Sequence, residues 1–114
     1  MPSNRRRTPR AICSLEAKVL GPRGTLRGVI RNLSVGGLFF AGKELLAVGQ
    51  SGDFELTLGG AKVRVAGEVR YHHVLDDGQS AMGVRFIRLE PDALARIQAF
   101  VDTCPKTPDT AFEP

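Results

Sequence analysis

Apolar and polar residues alternate along most of this chain with the period of two expected of strands that bury one face. Cys13, Leu15, Ala17 and Val19 alternate with Ser14, Glu16 and Lys18. Gly21-Pro22-Arg23-Gly24 then supplies a turn. Thr25 to Leu33 reads as a second strand, and the polar Ser34-Val35-Gly36-Gly37 joins it to a short third one, Leu38-Phe39-Phe40. Phe54, Leu56 and Leu58 alternate with Asp53, Glu55 and Thr57. Gly59-Gly60 predicts a two-residue hairpin turn, after which Val63, Val65, Val69 and Tyr71 are expected on one face of a longer strand. Beyond the polar loop at Asp76, Asp77 and Gly78, residues 81–89 give a sixth strand with Met82, Val84 and Phe86 on one face.

The period then changes. Pro91 suits the first turn of a helix, and Leu94, Ile97, Val101 and Cys104 follow at spacings of three and four, so one face can pack on the sheet before Pro105 ends it. The pattern predicts a mainly β fold, a six-stranded antiparallel barrel with a C-terminal helix over one end, because closure removes exposed edges. A sandwich is the alternative. Residues 1–10 lack apolar periodicity and are expected to form a mobile basic arm; residues 11–104 form the domain, and the proline-bearing 105–114 a disordered tail.

Charge sharpens this division. All of the net charge of +4 resides in the arm, through Arg5, Arg6, Arg7 and Arg10, and the rest of the 114 residues balance. Clustered guanidinium groups on a neutral body point to a compact anionic partner, since Arg offers planar forked donors to phosphate. The neutral body disfavours a broad nucleic-acid surface. No apolar run approaches 18 residues, so no membrane span is expected. Cys13 and Cys104 stand far apart without a CxxC or metal spacing, as in a cytoplasmic protein with reduced thiols.

Two short motifs carry the candidate chemistry: Arg5-Arg6-Arg7-Thr8-Pro9-Arg10, which reads RRxxxR, and Asn32-Leu33-Ser34-Val35-Gly36-Gly37, which reads (D/N)xSxxG. Either alone occurs readily by chance. In this order, with Gly83-Val84-Arg85-Phe86 and a helix closing the domain, the chain resembles the PilZ domain over roughly residues 5 to 103. That resemblance implies a barrel that binds cyclic diguanylate (c-di-GMP), with the arm wrapping the ligand against the outer wall. It further implies that Arg5, directly before the Arg6 to Arg10 span, goes with an intercalated dimer of the ligand, two molecules per chain. Motility, pilus, polysaccharide and regulatory proteins are the partners it admits.

The residue types suit such a ligand. An arginine can engage O6 and N7 of guanine bidentately, a role expected of Arg6 and Arg10 along with phosphate binding, and its plane can stack on a purine. Asn32 offers a carbonyl to guanine N–H groups, a weaker acceptor than the aspartate alternative. Ser34 offers a hydroxyl for phosphate or for holding the turn. Gly36 and Gly37 allow positive φ and close backbone approach, so their N–H groups can point at an anion, and Tyr71 can stack on a base. Taken singly, the arm reads as a solvated tether, the turn as a plain connection and Tyr71 as core; their joint order favours the receptor.

No enzyme is expected. Nucleophile-elbow, HExxH and P-loop motifs are missing, and Cys13 has no evident base. His72-His73 beside Asp76 and Asp77 reads as a solvated loop, since adjacent strand residues face opposite ways. A ligand-independent adaptor and, less favoured, a basic-arm nucleic-acid binder are the alternatives. With one domain, any effect is expected to act on another polypeptide.

Overall fold

The computed structural model describes residues 11–104. The arm with Arg5, Arg6, Arg7 and Arg10, and the tail from Pro105, lie outside the described residues. Six strands form a closed antiparallel barrel: β1 (Ala11–Gly21), β2 (Gly24–Leu33), β3 (Gly37–Ala41), β4 (Ser51–Leu58), β5 (Ala61–Val74) and β6 (Ser80–Arg88). The spatial order is β1-β2-β3-β6-β5-β4, with β4 closing on β1. Helix α1 (Pro91–Thr103) follows.

The period-two pattern decides which face is inside. Ala11, Ala17 and Val19 of β1, Phe54, Leu56 and Leu58 of β4, Val63, Val65 and Val69 of β5, and Met82 and Val84 of β6 are all buried in one core. Phe40 and Phe54 meet edge to face there, with ring centroids 6.3 Å apart. Each large apolar side chain fully removed from water contributes about 1.5–3 kcal/mol. The hairpin at Gly59-Gly60 forms as expected, with φ of 56° and 88° and Leu58 opposite Ala61. Positive φ at both positions matches the twist of the flanking strands.

Both barrel ends are plugged. Leu46, from the 42–50 connection, is buried beside Gly21 and Gly52, where β1 finishes and β4 begins. At the opposite end α1 starts just after β6 and sends Ala93, Ile97 and Val101 into the core. Leu94 departs from the expected helix face: it is 41% exposed, while Ala93 is buried in its place. The apolar face is thus centred one residue earlier, where a small alanine lets the first turn sit close to the barrel. Among the described residues no helix is long and apolar enough to cross a membrane.

Candidate ligand-binding site

The register shifts at several points around the barrel, and two of these bulges build the site. In β2, Ile30 lies opposite Phe40 and Asn32 opposite Phe39, so Arg31 is an extra residue. Ile30 and Leu33 both enter the core, which leaves Arg31 and Asn32 together outside. Simple alternation would have placed them on opposite faces; a bulge re-aims side chains in this way. In β5, Val69 lies opposite Val84 and Tyr71 opposite Gly83, with Arg70 extra. Tyr71 therefore leaves the face it was expected to share with Val63, Val65 and Val69 and packs outside.

One transverse row results: Ile12, Asn32, Phe39, Gly83 and Tyr71 stand opposite one another across β1, β2, β3, β6 and β5. Gly83 permits the close approach of Tyr71, whose ring occupies the space a Cβ there would need. Phe39 is only 4% exposed although it points outward. Tyr71 and Leu75 cover it together with Ala41 and Ala81, in a small apolar cluster separate from the core. Its ring centroid is 6.1 Å from that of Tyr71 and 6.0 Å from that of His73.

Over this cluster opens a groove of about 670 Å³, bordered among others by Ile12, Arg31, Asn32, Phe39, His73 and Gln79. That is the size of a small-molecule site, apolar on its floor with a few convergent polar groups. Asn32 thus borders the groove as the motif reading requires. Sequence reasoning missed Phe39, His73, Arg31 and Gln79. The consecutive Phe39 and Phe40 carried a signal, since in any strand one of two adjacent residues must face out.

The turn from Ser34 to Gly37 is held from within. Ser34 is fully buried, and its backbone N–H donates to the Gly37 carbonyl at 2.9 Å. Its hydroxyl donates to the same oxygen at 3.4 Å and accepts from the Gly36 N–H at 3.2 Å. Of the two roles open to Ser34, the hydroxyl is engaged in holding the turn. The Gly36 carbonyl accepts from the Phe86 N–H at 3.0 Å, which ties the turn to β6.

Gly36 and Gly37 do not adopt the positive φ expected of them, and with the Gly36 N–H given to Ser34 this N–H does not project as an open anion nest. Gly37 is required by contact instead, because a Cβ there would collide with the Val84 carbonyl.

The register also fixes where the basic motif joins. Ala11 pairs with Leu33 and Ile12 with Asn32, so the chain enters β1 beside the motif turn. Cys13, also at the groove, donates its thiol to the Ile30 carbonyl at 3.6 Å. Burial, with a smaller contribution from Cys104, pushes that thiol up to about 12, so it stays protonated and a poor nucleophile at neutral pH.

Fold and groove together define a small closed barrel that carries a ligand-sized recess on its outer wall, next to a glycine-rich turn and a basic chain entry. The sequence profile described as "PilZ domain" matches residues 4–103, and the chain belongs to that family. Among solved structures it is similar to the PilZ domain with c-di-GMP of YcgR from Escherichia coli. That match has 16% identity and a TM-score of 0.72, and covers 88% of this chain and 91% of that one. It is also similar to YcgR of Escherichia coli in complex with c-di-GMP, at 19% identity and a TM-score of 0.75, over 87% of this chain and 45% of that one. The Bacillus subtilis inhibitor of motility MotI/DgrA aligns at 18% identity and a TM-score of 0.72, covering 88% of this chain and 49% of that one. The chain therefore spans about half the length of the two longer proteins. Comparison with curated protein sequences gives no match.

Proposed function

We propose that this chain is a c-di-GMP receptor without catalytic activity that transmits ligand binding to a partner protein. The observation that supports the reading is the pairing of Ala11 with Leu33 and Ile12 with Asn32: the residue that directly follows Arg10 in the sequence stands beside the turn that holds the second motif, and Ile12 and Asn32 border the groove. Family membership and the c-di-GMP complexes among its structural neighbours support the ligand's identity.

In this reading Arg6 and Arg10 grip guanine edges and phosphates, Arg7 adds charge, and Arg5 recruits a second, intercalated ligand molecule. Asn32 receives guanine N–H groups. Ser34, Gly36 and Gly37 shape the turn against which the ligand rests, and Tyr71 with Phe39 supplies an apolar wall. Neighbours named for inhibition of motility and for a cellulose-synthesising bacterium make motility and polysaccharide machinery the first partners to try, with pilus and regulatory proteins next. The protein is expected to act in the cytoplasm.

Isothermal titration of c-di-GMP into the chain tests this. Saturable binding near two ligands per chain, weakened at least about tenfold in Arg6→Ala, is the expected result. Absence of binding at every concentration tested sinks the receptor reading and leaves a ligand-independent adaptor.

A further inference from the structure

Arg31 lies outside both recognised motifs' defining positions, yet the β2 bulge turns it outward beside Asn32 at the edge of the groove. Its guanidinium reaches across to the β5–β6 turn, donating from Nη1 to Gln79 Oε1 at 3.1 Å and standing 3.9 Å from Asp77 Oδ2. The turn is otherwise closed by its own bonds: Gln79 N–H to Asp77 Oδ1 at 2.9 Å, Leu75 N–H to the Gln79 carbonyl at 2.8 Å, and Gly78 N–H to the Leu75 carbonyl at 2.8 Å. Arg31 is thus a clasp between the strand that carries the second motif and a turn on the far bank of the groove.

The clasp is a loose one. Both side chains of the ion pair are largely exposed, at 42% and 60%, and the distance is long. Such pairs are weak and easily exchanged. A guanidinium has five donors, of which these contacts use few. A phosphodiester in the groove would offer it a charge-assisted, potentially bidentate bond in place of a distant carboxylate.

We propose that Arg31 is a further ligand-binding residue, which exchanges Asp77 and Gln79 for a phosphate of the bound dinucleotide and thereby releases the β5–β6 turn. This rests on the receptor reading above. It gives the ligand one contact from the barrel wall in addition to those of the arm, and it makes the 75–79 turn the element whose tethering depends on occupancy.

The test is a double-mutant cycle read by titration of c-di-GMP into the full chain. Arg31→Ala should weaken binding about tenfold or more without moving the thermal midpoint appreciably. Asp77→Asn keeps an acceptor for the Gln79 N–H but lowers the competition for Arg31, and should tighten binding about two- to fivefold. A mere brace would make the two substitutions act in the same direction. The cycle also separates exchange from simple charge removal, because the gain from Asp77→Asn must vanish when Arg31 is already alanine. Wild-type affinity in Arg31→Ala, or an equal gain from Asp77→Asn in both backgrounds, overturns the proposal while leaving the receptor intact. Failure of the wild-type chain to bind overturns the receptor reading and this proposal with it.

Discussion

The two faces of β3 are both buried, for different reasons. Leu38 and Phe40 point into a core closed by every other strand and by α1. Phe39 and Ala41 point outward into a smaller cluster with Tyr71, Leu75 and Ala81, with the His73 ring alongside Phe39. The inner cluster follows the alternation of its strands. The outer one exists because two bulges break that alternation, and it opens onto a groove. Interior packing here secures the fold, and in the receptor reading the exterior cluster serves recognition.

Four substitutions bear on that contrast. The largest effect is expected from Phe40→Ala, which removes a fully buried ring from contact with Phe54 and should cost about 3–5 kcal/mol in urea unfolding. If Phe39→Ala costs as much, the outer cluster is a second core and the contrast fails. Ser34→Ala comes next, deleting a buried hydroxyl that serves both Gly36 and Gly37, at about 1–2 kcal/mol. The Gly37 carbonyl keeps the Ser34 N–H, so the turn should persist with a looser Gly36. Loss of c-di-GMP affinity far beyond that of the stability change would show that the hydroxyl also meets the ligand. The smallest effect on stability, about 1 kcal/mol at the low end for overpacking, belongs to Gly83→Ala, whose new methyl first meets the far end of the Tyr71 side chain. The ring should swing off the wall, read as a shift of its aromatic NMR resonances, and weaken ligand binding with the fold intact. Unchanged resonances would mean that the wall is rigid.

Much of this was legible in the chain itself. Strand order along the sequence, the Gly59-Gly60 hairpin, the helix and the paired motifs all follow from patterns local to a few residues. What escaped depends on register. Nothing in Val69-Arg70-Tyr71 announces that Arg70 is extra, so Tyr71 was expected inside. Arg31 was overlooked because alternation gives it the face opposite Asn32. Leu94 was expected to pack because spacing alone does not tell which edge of an apolar stripe meets the barrel. At Gly36 and Gly37 the sequence admits both positive φ and close backbone approach, and which of them applies, close contact with β6 at Gly37, is decided by pairing. Bulges and close approaches are settled by pairing between strands distant in sequence, and a linear pattern does not contain them.

The strand order β1-β2-β3-β6-β5-β4 divides the barrel into two three-stranded halves that meet along two seams, β3 with β6 and β1 with β4. Within each half the neighbours are consecutive in the chain, whereas both seams join distant segments, and such contacts form late because long loops must close first. The row from Asn32 through Phe39 and Gly83 to Tyr71 crosses the β3–β6 seam. In the receptor reading, neither half alone holds the whole recognition surface, and a nascent or partly opened chain would be blind to the ligand. Conversely, a dinucleotide bound across the seam would act as a splint, stabilising the closed barrel by mass action as its concentration rises above Kd.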